Sequence, residues 1–268
     1  MSFNLDEVRF LSEHNAELAS LDLELSKASQ LKDLEKLKAA YGDYARCAME
    51  LLTARRGGKL PETWLMDADS AQQATPLSVA RYRSEFLRQR GMRTVHDVTC
   101  SIGTEGYGTS LDYFGSDIDA SRLAMARHNL ASNVFFQADA LTTTTTADVI
   151  IADPARRKAG RRISRPEDLL PPLPDLIAAH RDTHVAIKCA PGLDFSDWDG
   201  LVTVSSVNGA VKEACLYTPG LGTGRHAVMI QGESVDVLTD EEHNLPEAGE
   251  IGTYLIDPDG AVVRAGLV

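Results

Sequence analysis

Four aspartates, Asp97, Asp117, Asp139 and Asp153, each stand at or just beyond the end of a short β-prone run, with a turn behind them. Carboxylates in such places accept hydrogen bonds from a ligand laid across the ends of parallel strands. The first opens Asp97-Val-Thr99-Cys100-Ser-Ile-Gly103-Thr-Glu-Gly106, where Gly103 and Gly106 allow the backbone to come close to a ligand. Thr99, Cys100 and Gly103 are candidate ligand contacts, and Asp97 either orders the loop or reaches the ligand through water. In Gly115-Ser-Asp117-Ile118-Asp119, Asp117 is placed to accept from two ribose hydroxyls with Ile118 beside it, while Asp119 reads as a helix cap. These two motifs suit an adenosyl-sulfonium cofactor and a nicotinamide nucleotide equally. Asp139, followed by Ala140, is an acceptor for an adenine amino group.

That third motif separates the two ligands, and a fourth joins it. In Asp148-Val-Ile-Ile-Ala-Asp153-Pro154-Ala-Arg156 an apolar strand delivers Asp153 to the carboxyl edge, and Pro154 stiffens the turn and removes a donor. An acidic residue followed by proline suits an enzyme that holds a nucleobase amine and aims its lone pair at an electrophilic methyl group. A nicotinamide-dependent oxidoreductase has no use for it. Behind it comes a basic run, Arg156, Arg157, Lys158, Arg161, Arg162 and Arg165, whose position and sign suit the phosphates of a nucleic acid.

These residues need a scaffold, and the hydrophobic pattern describes one. Residues 1 to about 56 read as helix, with Leu18, Leu21 and Leu25, then Leu31, Leu34 and Leu37, at three- and four-residue steps. Gly57-Gly58 breaks it, and a second helical stretch starts at Thr75-Pro76, with Thr75 as cap and Pro76 in the first turn. From Thr94 short strands alternate with helices: strands 94–98, 114–118, 134–137, 148–152 and 184–188, helical runs 106–113, 121–130 and 167–180. This alternation means a parallel sheet wrapped by helices. Runs 201–207, 212–217 and 225–231 then follow strand upon strand, the first two joined by Asn208-Gly209, a hairpin turn.

The expected fold is α/β, a Rossmann-like seven-stranded methyltransferase sheet with an N-terminal helical extension and the start of a small C-terminal domain. The expected divisions are 1–90, 91–232 and 233–268; the last is an acidic, turn-rich linker followed by a segment with a hairpin cue at Asp257-Pro-Asp-Gly260.

The bulk numbers restrict the setting. A net charge of −12 excludes a protein that coats nucleic acid through its total charge, though not one with a local basic surface. The four cysteines, Cys47, Cys100, Cys189 and Cys215, form neither a C-x-x-C metal motif nor a disulfide framework, so no metal is expected. No apolar run is long enough to span a bilayer and the first residues do not read as a signal peptide, which gives a cytoplasmic expectation without membrane partners.

In this order the four motifs resemble those of the class I S-adenosylmethionine-dependent methyltransferases. More narrowly, Asp97-Val-Thr-Cys-Ser-Ile-Gly103, Asp153-Pro-Ala-Arg-Arg157 and Lys188-Cys-Ala-Pro-Gly192 resemble a bacterial group of RNA methyltransferases with a THUMP-like C-terminal domain. These are distant relatives of the trimethylguanosine synthases, which methylate guanine N2 of RNA caps. Ala74-Thr75-Pro76-Leu-Ser-Val-Ala80 is similar to the Thr-Pro helix leading into the synthase core, which adds Thr75 and Pro76 to the cofactor contacts.

The resemblance implies S-adenosylmethionine as cofactor, an RNA substrate, and Asp153, Pro154 and Arg156 as the catalytic set. It also implies that Ala261–Val268 leads into a THUMP-like part of a longer natural chain. Ser101 stands where the group has glycine, and Ala155-Arg156 where the synthases have Pro-Trp; Arg156 is a planar cation suited to stacking on a base. Two alternatives stay open: carbon methylation of a pyrimidine with Cys189 as nucleophile, and a non-catalytic RNA-binding scaffold that keeps the fold.

Overall fold

A computed structural model describes residues 3–154, 157–158, 161–162, 169–242, 253–254 and 257–268. The N-terminal layer is built from α1 (Leu5–Glu13), α2 (Asn15–Ala19), α3 (Gln30–Tyr41), α4 (Ala45–Arg55), α5 (Ala68–Gln73) and α6 (Leu77–Gln89). Reciprocal capping fixes two starts, Asn4 with Glu7 for α1 and Asp67 with Ser70 for α5. Leu11, Leu18, Leu37, Leu51, Trp64 and Met66 form the apolar interior of this layer. The same cluster takes in Ile102, from the loop after the first strand, and Met125. The layer is therefore a buttress for that loop.

The central sheet contains β1 (Thr94–Asp97), β2 (Asp112–Asp117), β3 (Val134–Gln137), β4 (Val149–Ala152), β7 (His184–Cys189), β8 (Leu201–Val207), β9 (Ala210–Tyr217), β10 (Gly224–Gln231) and β11 (Ser234–Thr239). Its order is β11-β10-β8-β9-β7-β4-β1-β2-β3. From β7 to β3 every neighbour is parallel; β9 is antiparallel to both β7 and β8, β10 runs parallel to β8, and β11 closes the edge antiparallel. Helix α7 (Ala120–Asn129) and the short α8 (Leu173–Ala179) cover the parallel part. A separate two-stranded ribbon pairs β5 (Arg157–Lys158) with β6 (Arg161–Arg162).

Several expectations are corrected. The sheet has nine strands, not seven: all eight strand-like runs of the sequence join it, and Ser-Val-Asp-Val-Leu-Thr (234–239), expected in a linker, pairs with β10 as the ninth. The Asp257-Pro-Asp-Gly260 cue does not make a hairpin: Asp259 caps α9 (Gly260–Ala265), accepting from the Ala261 amide at 2.7 Å. Helix α9 buries Ala261, Val262 and Ala265 in the core shared with Val202, Val204 and Ala227. Residues on both sides of 233 thus share one sheet and one core.

The expected helix 106–113 is only a 3₁₀ turn, Thr104–Gly106. A Cβ at Gly106 would sit 2.8 Å from Leu130 and 2.9 Å from Tyr113, so the chain there is pressed against its neighbours. The leading helix is interrupted at His14, across 20–29 and at Gly42. Helix α8 begins at Leu173, behind Pro171-Pro172; the expected start at 167 lies outside the described residues. Asn208 and Gly209 both take positive φ (50° and 75°) in the expected hairpin. Among the described residues, no helix is long and apolar enough to cross a membrane, and no His/Cys/Asp/Glu group is arranged to hold a metal ion.

The turn into β8 gives a direct test of close packing. Trp198 Nε1 donates to the Tyr217 carbonyl at 3.0 Å, and a Cβ on Gly200 would lie 1.9 Å from the same oxygen. Gly200→Ala must push backbone away from backbone; the expected loss is about 2–3 kcal/mol, a fall of roughly 5–10 °C in melting temperature by calorimetry.

Candidate active site

All five parallel strands present their carboxyl ends at one edge. In register, Asp97 lies opposite Gly115 and Ile151, and Asp117 opposite Gln137, so Asp97, Asp117 and the turns carrying Asp139 and Asp153 come to a common rim. The loop after β1 bends back along this rim. Gly103 sits at φ +90°, where a Cβ would be 3.1 Å from Leu130, and the Cys100 amide donates to the Ser116 carbonyl at 2.9 Å.

The expected contacts differ in what they offer. Asp117 accepts from the Ser101 amide on Oδ2 and from the Asp119 amide on Oδ1, each at 2.9 Å, and each oxygen keeps a second lone pair. Ile118 is 71% exposed, an apolar surface at the strand tip beside that carboxylate. Asp139 is exposed and accepts from the Leu141 amide at 2.9 Å; the Ala140 carbonyl lies 2.7 Å from His180 Nε2, which fixes the turn from below. Asp119 caps α7 as expected.

Three of the expected contacts have partners within the protein. Asp97 is buried and spends its oxygens on the Thr99 amide (3.2 Å) and the Tyr113 hydroxyl (3.1 Å), so it orders the loop. Burial first, and then the nearby charge of Glu105, push its carboxyl up to about 7. The Cys100 side chain packs in the apolar cluster with Tyr113 and Phe135, which leaves only its backbone at the loop. Thr75 does not cap α6: Pro76 occupies that position, and the buried Thr75 hydroxyl donates to Glu213 Oε2 at 3.5 Å.

Sequence reasoning missed the charges beneath the rim. Lys188 Nζ lies 2.9 Å from Asp153 Oδ2 and 3.2 Å from Glu105 Oε1. Arg83 Nε donates to Glu105 Oε2 at 3.0 Å, and its Nη2 pairs with Glu213. A chain of ionic contacts thus runs Asp153–Lys188–Glu105–Arg83–Glu213, all buried except Asp153, whose side chain keeps 26% of its exposure.

Burial alone would drive Lys188 down, but Asp153, Glu105 and Glu213 outweigh it and hold the ammonium well above its ordinary value. Glu105 moves the other way: burial opposes ionisation, and Arg83 and Lys188 overcome it. The signal was present in the sequence, since Lys188 is the lone lysine in the apolar strand His-Val-Ala-Ile-Lys-Cys. Asp153 is also fixed through its backbone, whose amide donates to Thr99 Oγ1 at 2.7 Å, and Pro154 behind it is buried.

Of the remaining candidates, Cys189 is 0% exposed and belongs to the apolar core with Ala152, Ile187 and Leu193. A nucleophile must be reached by its substrate, and this thiol is shut inside. Arg157 and Lys158 stand in register opposite Arg162 and Arg161 in the ribbon, while Arg156 and Arg165 lie outside the described residues.

An uncharacterized S-adenosylmethionine-dependent methyltransferase of Mycobacterium tuberculosis is 41% identical over 258 residues, covering 87% of this chain and 70% of the relative. The chain belongs to the S-adenosylmethionine-dependent methyltransferases. Its counterpart in a second strain of that organism gives the same figures. No family model matches the chain. A crystal structure from Porphyromonas gingivalis W83, assigned as a methyltransferase, aligns over 99% of this chain and 74% of its own with a TM-score of 0.74 at 19% identity, a likeness of fold.

S-adenosylmethionine is accordingly the cofactor of this methyltransferase, and the rim suits it. Asp117 has acceptor capacity to spare, Ile118 offers an exposed apolar face, and the backbone at Gly103 runs where side-chain bulk is excluded.

The raised carboxyl of Asp97 has a consequence for stability. An exposed aspartate titrates near ~3.9, so between about pH 4 and 7 the folded enzyme binds a proton that the unfolded chain has released, and stability falls as pH rises through that window. Asp97→Asn removes the charge, and the Tyr113 hydroxyl can turn to accept from the new amide. Its stability relative to wild type is expected to improve by about 1–3 kcal/mol between pH 5 and 8 in urea titrations. A difference independent of pH would show that Asp97 titrates normally.

Proposed function

We propose that this methyltransferase acts on an exocyclic amine of an RNA base, of the guanine N2 type. The observation that carries the reading is Asp153: its carboxylate is partly exposed at the ligand-binding edge while Lys188 anchors it from below and Thr99 fixes its backbone. An ionised carboxylate only accepts hydrogen bonds, so it takes the N–H groups of an amine and leaves the nitrogen lone pair to point elsewhere. Pro154 brings no N–H to compete for the same oxygens.

When bound, S-adenosylmethionine supplies an electrophilic methyl group on a sulfonium. The residues of the chain contribute position. Asp117, Ile118, Asp139 and the loop 98–106 hold the adenosyl end, and Asp153 holds the amine opposite. Orientation of this kind supplies much of the acceleration that amine methylation needs. No group has to act as a nucleophile, in keeping with the burial of Cys189.

Support for RNA as the carrier of the amine comes from the ribbon that begins three residues after Pro154. It sets Arg157 against Arg162 and Lys158 against Arg161. A run of basic residues here, in a chain of net charge −12, suits the phosphates of a polyanion. Arg156 beside it would stack on the base, and Arg165 would extend the phosphate contacts. Kinship with the trimethylguanosine synthases and the THUMP-bearing group, a cytoplasmic setting, and Thr75 and Pro76 as outer cofactor contacts belong to the same proposal.

The test is transfer of labelled methyl from S-adenosylmethionine to bacterial RNA, followed by nucleoside mass spectrometry. N-methylated purine is the expected product; label found only in protein or in a C5-methylated pyrimidine would refute the reading. Asp153→Asn is expected to bind cofactor within about twofold of wild type and to lose about a hundredfold in transfer rate. Near-normal turnover would remove Asp153 from the chemistry.

A further inference from the structure

We infer that Arg122 is a positioning residue for the cofactor loop, clamping Ser101 in a left-handed conformation that a serine does not favour. The inference rests on the reading of loop 98–106 as the adenosyl-binding loop. Ser101 has φ 50°, one of three non-glycine residues with positive φ among the described residues. Side chains with a Cβ are disfavoured there, and glycine is the ordinary occupant. Something must hold this serine in place.

Two contacts do so. The Ser101 amide donates to Asp117 Oδ2 at 2.9 Å, and its hydroxyl accepts from Arg122 Nη1 at 2.8 Å. Arg122 sits in the first turn of α7, where Asp119 caps the helix and places its own Oδ2 3.9 Å from Arg122 Nε. The Asp119 amide donates in turn to Asp117 Oδ1 at 2.9 Å. The contacts close a ring, Asp117–Ser101–Arg122–Asp119, with both oxygens of Asp117 engaged from within it.

This ring fixes the carboxylate proposed to meet the ribose, and it gives the serine a purpose. Glycine would adopt the backbone conformation without help, but it offers Arg122 no acceptor. Serine needs the guanidinium, and the guanidinium ties the loop to α7. Arg122 does not have to touch the ligand for this role.

A double-mutant cycle read by calorimetry with S-adenosylhomocysteine, with KM for S-adenosylmethionine and melting temperature alongside, tests the clamp. Arg122→Ala is expected to weaken binding about tenfold, the loss of a charge-assisted hydrogen bond, with little change in melting temperature because the side chain is half-buried at the surface. Ser101→Gly adopts the conformation without the guanidinium, so its affinity should no longer depend on Arg122. On that background Arg122→Ala should cost almost nothing.

Arg122→Gln keeps an N–H donor near the hydroxyl and should retain most of the affinity; it decides the matter if the alanine variant fails to fold. Wild-type affinity in Arg122→Ala, or an equal loss with and without Ser101, would overturn the clamp. A wild-type protein that binds no S-adenosylhomocysteine would instead overturn the reading of the loop, and the clamp with it.

Discussion

An ammonium ion inside a parallel sheet has to find anions, and the need of Lys188 for them organises much of the molecule. Asp153 and Glu105 meet it directly, from the end of β4 and from the turn after β1. Glu105 then requires Arg83 of α6, and Arg83 requires Glu213 of β9. Buried ion pairs of this kind add little net stability over apolar packing, because desolvation offsets most of the attraction. They are demanding about geometry, however, since removing one partner strands a charge. The chain of contacts fixes the mutual placement of β4, β7, β9, α6 and the turn after β1, and its one partly exposed member is the carboxylate at the strand-end edge.

Much of the parallel half of the fold was legible in the sequence because each strand there is short, apolar and followed by a turn residue. The structure places β3 at 134–137 and β7 at 184–189, within a residue of expectation, and Asp117, Asp139 and Asp153 at the strand ends. What escaped has physical reasons. Strand β11 is exposed over most of its length, so its polar residues read as linker. The run 106–113 contains enough apolar residues to suggest a helix, but the tight contacts of Gly106 with Leu130 and Tyr113 override local preference. Roles that depend on burial, such as those of Asp97, Cys100 and Thr75, cannot be read from spacing. The ionic chain showed only in the lone Lys188 of an apolar strand: its members are far apart along the chain and meet only once the sheet is assembled.

The N-terminal helices show how a layer without chemistry of its own shapes a site. Asn129 at the end of α7 donates to the carbonyls of both Leu65 and Ile102, and the Leu65 amide donates back to it at 2.7 Å. Arg55, whose Nε and Nη2 both donate to the Trp64 carbonyl, holds the same segment from the side of α4. With Ile102 inserted into the helical core, the loop after β1 is pinned from outside the sheet as well as from within. A loop lacking a following helix would otherwise have only a 3₁₀ turn behind it.

The two halves of the rim meet at Thr99. On one side lies the ring through Ser101 and Asp117, on the other the ionic chain that ends at Asp153, and the Thr99 hydroxyl accepts the Asp153 amide at 2.7 Å. Thr99 belongs to the same loop as Ser101, and its own amide is held by Asp97. Displacing the loop therefore displaces the turn after β4. Methyl transfer tolerates little error in the distance and angle between donor and acceptor, so a direct bond between their supports does more than two independently rigid halves would. In this enzyme the threonine links the loop after β1 to the turn that carries Asp153.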